Sequence, residues 1–345
     1  MAETIKVENI AADARSKFIV RVREAKRLEV EDTFFNTGSA VFLPTVPGGS
    51  ASGGAVLTPF TNAELFLELT QAHKDFTTGI VTVPFEPDQS GGGTQERDVG
   101  LQVILAALRF LERNPSHSLV IAGHTDRAGS DAFNMRLSDA RGRSVLAMLE
   151  GKRSNFVSAC SSFHSPDDDP IVLHYAAQTH GLPCEPVDSS KVSPDEVRAF
   201  QKAFNDSFKA SIAVDGKVGN ETRGAYFDLY QADLNKRAGG KEAMQALRGH
   251  LRFVDPGHKV LACGERFPRE NPEQDGLRSQ LNRRVEILFF SPPRLPKPGA
   301  KDAAEQIFRR KLFTFTTLDR DQLAPSAAPI TTSSSERQTF ALVSE

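Results

Sequence analysis

Apolar and charged residues alternate over Phe18-Ile19-Val20-Arg21-Val22-Arg23 and again over Leu28-Glu29-Val30-Glu31. A period of two puts alternate side chains on opposite faces of a strand, so residues 17–43 read as extended, ending in Phe34-Phe35-Asn36-Thr37-Gly38-Ser39-Ala40-Val41-Phe42-Leu43-Pro44. The Gly- and Ser-rich stretch 48–54 predicts a loop. Residues 62–73 suit a short helix, and Ile80-Val81-Thr82-Val83-Pro84-Phe85 an edge strand, because Pro84 has no N–H to give a ladder. Ser90-Gly91-Gly92-Gly93 is a second break. The period then changes. Leu101, Ile104, Leu105, Leu108 and Leu111 recur at helical spacing, and Asn114-Pro115 stops the helix, since proline pushes the preceding residue out of the α region. Leu119-Val120-Ile121-Ala122 predicts a short buried strand. A second helix is expected over 137–150, with Ala140, Val145, Met148 and Leu149 as apolar positions and Gly151 just past its end. Arg284-Val285-Glu286-Ile287-Leu288-Phe289-Phe290 predicts a closing strand, halted by Ser291-Pro292-Pro293. The order strand, helix, strand, helix, long excursion, strand predicts an α+β fold: a mixed-sheet sandwich with helices on one face, carrying an inserted small all-α module.

The excursion, 152–244, has its own pattern. Val197, Phe200, Gln201 and Phe204 fit one helix, Val214-Asp215-Gly216 a tight turn, and 222–230 a second helix. Beyond the closing strand, Pro296-Lys297-Pro298-Gly299 reads as a linker, 303–311 as helical and 312–317 as extended. Residues 324–336, rich in Ala, Pro, Ser and Thr, are expected to be disordered.

A chain of 345 residues accommodates two domains or one domain with a large insertion, and 39% hydrophobic with 25% charged residues is ordinary for a globular protein. Lys and Arg (42) nearly balance Asp and Glu (44), so no basic excess points to nucleic acid and no basic amphipathic run to a membrane surface. The start, MAETIKVENIAADARSKFIV, has no signal-peptide core, and the longest apolar stretch, 103–111, is interrupted by Arg109 and too short to span a bilayer. The expectation is a soluble protein made in the cytoplasm, its export route open. Cys160, Cys184 and Cys263 form no metal spacing. Three scattered buried thiols is the preferred reading over a Cys160–Cys184 disulfide.

The most informative segment is Gly123-His124-Thr125-Asp126-Arg127-Ala128-Gly129-Ser130-Asp131-Ala132-Phe133-Asn134-Met135-Arg136-Leu137-Ser138-Asp139-Ala140-Arg141. A strand running into Asp126, with Arg141 following early in a helix, can place a carboxylate and a guanidinium on one pocket rim. Such a pair fits a zwitterionic amino-acid group: the carboxylate accepts from the ammonium, and the fork of Arg grips the carboxylate with two parallel bonds. The alternative is an Asp–Arg bridge that merely pins the loop to the helix.

This segment resembles the signature of the OmpA-like domain, shared by outer-membrane protein A, the Pal lipoprotein and the flagellar stator protein MotB. That pattern is G-H-T-D, a Gly three residues on, then N-x-x-L-S-x-x-R. Asn282-Arg283-Arg284-Val285-Glu286-Ile287 resembles the family's N-R-R-V-E-I strand, and Phe34-Phe35-Asn36-Thr37-Gly38-Ser39-Ala40 its opening strand and loop. The strand over 80–86 is the other candidate for the opening strand; the F-F-x-T-x-S-A match favours 30–43. The resemblance implies a peptidoglycan-binding protein that recognises the diaminopimelate arm of the stem peptide without cutting it, through Asp126 and Arg141, with Asn134, Thr37 and Arg283 or Arg284 adding polar contacts. Gly38 stands where the family often has Asn, and Ala128 where relatives can be polar. Val197-x-x-Phe200-Gln201-x-x-Phe204 and Val214-Asp215-Gly216-x-x-Gly219-x-x-Thr222 resemble the three-helix peptidoglycan-binding domain found beside cell-wall amidases. There Asp215-Gly216 and Gly219 make a turn that a Cβ would crowd, and Thr222 caps the next helix.

The implied organisation is an N-terminal β segment (1–29), a first OmpA-like part (30–151, with a loop-rich excursion over 44–97), the insertion (152–244, its module at 185–232), a second OmpA-like part (245–292), and a linker with tail (293–345). The layout, with Cys263-Gly264-Glu265-Arg266-Phe267-Pro268 before the last strand, also resembles proteins of contractile injection machines, of the type VI secretion and phage-tail-like kind. On that alternative the chain is a structural or cargo component that meets the cell wall when the machine fires. An enzyme is not expected. His117, His174, His180 and His258 form no H-x-x-x-H or H-E-x-x-H pair. Pro166 separates His164 from Asp168, and Asp167-Asp168-Asp169-Pro170 reads as a solvated loop instead of a calcium site. Cys160 and His164 are too close in sequence for the usual dyad, and no G-x-S-x-G or S-x-x-K occurs. No cofactor or metal is expected.

Overall fold

The computed structural model describes residues 5–7, 18–20, 23–31, 35–44, 99–187, 191–268, 282–292, 295–308 and 313–317. The expected helix over 62–73, the strand over 80–86, the loops over 48–54 and 90–93, and the tail over 324–336 lie outside the described residues. Strands β1 (Ile5–Val7) and β2 (Phe18–Val20) form a separate antiparallel ribbon. Five further strands make one mixed sheet: β3 (Arg23–Glu31), β4 (Ser118–His124), β5 (Val260–Ala262), β6 (Arg284–Phe290) and β7 (Phe313–Thr317), in the order β5-β4-β6-β3-β7. Central β6 runs antiparallel to β3 and β4, while the outer pairs β4–β5 and β3–β7 are parallel. The fold is α+β.

Alternation along the central strands divides the core in two. Leu119, Ile121, Val285, Ile287 and Phe289 face one layer; Val120, Ala122, Leu288 and Phe290 face the other. Against the first face pack α1 (Val99–Arg113), which ends just before Asn114-Pro115 as expected, and α2 (Asp131–Glu150). The second face is covered too: Ala303, Ala304 and Ile307 of α8 (Ala303–Phe308) bury it with Cys263 and Phe267. The expectation of helices on one face only is thereby corrected. With both faces apolar, a one-sided layer would leave Leu288 and Phe290 in water.

Two boundaries also move. Helix α2 begins at Asp131, because Ser130 caps it by accepting from the backbone N–H of Phe133; its first three residues, 131–133, are exposed and lie outside the buried apolar stripe. The extended reading of 17–43 holds only in part, since β3 stops at Glu31 and 35–44 belong to no strand. Ala40, Val41, Phe42 and Leu43 are buried, but the Ala40 N–H donates to Phe163 O and the Val41 N–H to Ser39 Oγ, so a loop replaces the ladder.

The excursion holds α3 (Arg153–Ser161), α4 (Asp168–His180), α5 (Pro194–Phe208), α6 (Asn220–Ala238) and α7 (Lys241–Arg248). Ser193 and Glu196 close a capping box at the start of α5. Gln201 ties the α5–α6 turn together, donating to Asp215 Oδ1, Lys217 O and Thr222 Oγ1 and accepting from the Gly216 N–H. Gly216 has φ 76°, and a Cβ there would meet Pro194 O. Gly219, by contrast, has open space, and Thr222 is no cap: α6 starts at Asn220 and the Thr222 hydroxyl donates back to Lys217 O. The module does not bury its aromatics only among themselves. Phe227 and Tyr230 pack on Phe156, and Tyr230 on Tyr175, within one apolar cluster that continues through Met148 and Leu101 to the sheet.

Cys160, Cys184 and Cys263 are free and buried, and burial pushes each thiol up to about 12, away from the reactive thiolate. No helix among the described residues is long and apolar enough to cross a membrane.

Candidate ligand-binding site

The register of the central strands creates the site. Antiparallel pairing sets His124 opposite Arg284, so the residues just after β4 and just before β6 emerge together at one end of the sheet. Asp126 and Arg283 meet there, with Arg283 Nη1 2.7 Å from Asp126 Oδ2. Asp126 is 5% exposed, and its Oδ1 also accepts from the Ala128 N–H. Asn134, in the first turn of α2, donates to Asp126 O at 3.3 Å and to Glu265 Oε2 at 2.6 Å. The Glu265 carboxyl lies above its ordinary range, raised by desolvation and by Asp131, against the lowering effect of the Asn134 bond. Glu265 carried no role in the sequence reading, although it sits in the quoted Cys263–Pro268 stretch.

Strand and helix approach closely behind this cluster. A Cβ on Gly123 would overlap the Ser138 carbonyl, and one on Gly142 would press Val260. The Ser138 hydroxyl accepts from the Gly264 N–H, fixing the turn that presents Glu265. These small residues let α2 lie against β4 and β5.

Arg141 is held differently. Its side chain has no exposed surface. Nε donates to Ser39 O at 2.8 Å, Nη2 to Asn36 O at 3.1 Å, and the guanidinium lies 5.3 Å from the centre of the Phe35 ring. Thr37 is exposed on the same loop, beside Gly38 in the left-handed conformation (φ 73°) that Gly and Asn share. Beneath the loop sits Asp168, 1% exposed, its Oδ1 accepting from Asn36 Nδ2 (2.9 Å) and its Oδ2 from Ser39 Oγ and the Ser165 N–H (both 2.8 Å). The solvated-loop reading of 167–169 is corrected for Asp168 and Asp169, which open α4; Asp168 faces inward and Asp169 accepts from the Tyr226 hydroxyl. The acidic run alone gave no hint of this, because two of the three partners, Asn36 and Ser39, are more than a hundred residues away.

Arg284 stands apart from these groups. It is buried on the second face of the sheet, donating to Glu286 Oε1 at 2.6 Å and to Phe267 O, with His124 Nε2 3.7 Å from the same carboxylate. Of the two arginines read from Asn282-Arg283-Arg284, the site therefore holds Arg283, and Arg284 belongs to a buried ionic cluster.

Carboxylates (Asp126, Glu265) and the Arg283 guanidinium gather at one sheet end, with the Arg141 guanidinium enclosed under the neighbouring 36–39 loop. Arg283 is 15% exposed and can exchange Asp126 for a ligand carboxylate. Arg141, enclosed and engaged with two carbonyls, meets a ligand only where the 36–39 loop gives way. Among the described residues no group of three or more His, Cys, Asp or Glu is arranged to hold a metal. No protein-family model and no solved structure matches this chain.

Proposed function

We propose that this protein is a non-catalytic peptidoglycan-binding protein of the OmpA-like type, recognising the diaminopimelate arm of the stem peptide. Asp126 receives the ligand ammonium, and Arg141 and Arg283 receive its carboxylate. The observation that carries this reading is the 2.7 Å Asp126–Arg283 bridge across 157 residues. It joins the G-H-T-D segment to the N-R-R segment, two widely separated stretches that resemble the family signature. The bridge occupies the carboxylate and the guanidinium with each other. A zwitterion supplies both replacement charges at once, whereas a singly charged ligand leaves one of them unpaired.

Co-sedimentation with purified diaminopimelate-type peptidoglycan tests this. Asp126→Ala and Arg141→Ala are expected to abolish sedimentation, each leaving a charge unmatched in the complex at a cost of about 2–5 kcal/mol. A lysine-type wall, which lacks the carboxylate, is expected to bind roughly tenfold more weakly or worse. A zymogram with the same wall material should stay unlysed. Two variants that sediment like the parent would remove the pocket from consideration, and equal affinity for both wall types would point to glycan recognition.

A further inference from the structure

The helical excursion reaches the pocket through one side chain. An ionised carboxylate only accepts, and Asp168 satisfies three donors: Asn36 Nδ2, Ser39 Oγ and the Ser165 N–H. Ser39 Oγ in turn accepts from the Val41 N–H, so the loop is pinned at both ends. The carbonyls of those same two residues, Asn36 and Ser39, accept from Nη2 and Nε of Arg141. Nothing in the OmpA-like signature supplies the acid; it comes from the first turn of α4, whose next residue, Asp169, accepts from the hydroxyl of Tyr226 on α6. The path runs from α6 through α4 and the 36–39 loop to Arg141.

We infer that Asp168 is a positioning residue for ligand recognition, fixing the carbonyls of Asn36 and Ser39 so that they aim the Arg141 guanidinium and thereby tying the inserted helices to the pocket. This rests on the diaminopimelate reading for the identity of the ligand, but the positioning itself is measurable without one. Asp168→Asn keeps the shape and replaces one acceptor oxygen by a donor, which must then face Asn36 or Ser39 with Ser165. Ser39→Ala removes the opposite half of the contact and serves where Asp168→Asn fails to fold.

The test uses the full chain, labelled with ¹⁵N. The Nε–H of Arg141, identified by its absence in Arg141→Lys, is enclosed and bonded to Ser39 O, so its exchange with water is slow. In Asp168→Asn or Ser39→Ala it is expected to exchange at least roughly tenfold faster, the loss of one charge-assisted bond in the chain that holds it. The same variants are expected to lose roughly tenfold in affinity for a diaminopimelate muropeptide, with the lysine-type muropeptide unchanged and no further loss in the Arg141→Lys background. Protection equal to the parent would overturn the inference. So would an equal loss for both muropeptides, which marks a general effect on the fold. If the parent binds neither muropeptide while the variants release the Arg141 Nε–H, the positioning stands and the peptidoglycan reading falls.

Discussion

Beside the pocket, Asp169 keeps its proton to higher pH than an exposed carboxyl does. Burial pushes it up to about 7, and neighbouring Asp168 adds to this against the Tyr226 hydroxyl and the charge of Arg223. In the unfolded chain the group titrates near the ordinary value of about 3.9. Between those two pH values the folded state holds a proton that the unfolded state lacks, so this group's contribution is favourable at low pH and is lost as pH rises toward 7. Asp169→Asn keeps an oxygen for Tyr226 and cannot ionise. It is expected to be more stable than the parent at pH 8, by on the order of 4 kcal/mol at most, and equal to it near pH 4. Urea midpoints at the two pH values decide this; a difference that does not change with pH would mean that Asp169 is not the titrating group. At the same scale, the six expected site residues separate by what tertiary contacts do to them. Asp126, Asn134 and Arg283 come together, Arg141 and Thr37 share the neighbouring loop, and Arg284 is drawn to Glu286 on the opposite face. Arg284 opens β6 and points to the second face while Arg283, just before the strand, turns to Asp126, which no count of charges reveals.

At the scale of elements, the contact between β4 and α2 depends on Gly123. Its value lies in having no side chain, since a Cβ would overlap the backbone carbonyl of Ser138, and a carbonyl inside a helix cannot swing aside. Gly123→Ala is expected to destabilise the protein by about 1–3 kcal/mol and to shift α2, carrying Asn134 and Arg141 with it. Thermal melting and the ¹⁵N chemical shifts of 131–141 would measure both effects; a melt within a degree of the parent would show that strand and helix have room to separate. Where local chemistry governs, the sequence was a good guide: α1 stops before Pro115, α2 ends on Gly151 with φ 71°, and β4 and β6 lie where their apolar runs are. Where an exposed first turn or a distant partner governs, it was not. The early start of α2 depends on the Ser130 cap, and the failure of 35–44 to continue as a strand depends on Phe163 and Ser39 taking its N–H groups.

At the scale of the whole molecule, the excursion is part of the main core. Phe227 and Tyr230 cover Phe156, Tyr230 covers Tyr175, and Arg153 pairs with Asp228 at 3.0 Å across the α3–α6 contact. Replacing 185–232 by a Gly/Ser linker would uncover Phe156 and Tyr175, each aromatic carrying about 1.5–3 kcal/mol of burial. The deletion is expected to bind a hydrophobic dye, melt without cooperativity and aggregate, and isolated 185–232 to lack a cooperative melt. A soluble, cooperatively melting deletion variant would show that the parent closes over those rings unaided.

The sequence by itself determined the kind and order of α1, β4, α2, α5, α6 and β6 and the two stretches that resemble one ligand-binding signature, because these follow from periodicity, turn residues and fixed spacings within about twenty residues. Only the tertiary structure decided that Asp126 bridges Arg283 instead of Arg141, that Asp168 lies under the 36–39 loop, and that the inserted helices share the parent core. Each of those facts joins residues far apart in the chain. They are set by strand register and by which buried donors find acceptors, and neither quantity is carried by any local stretch of the sequence.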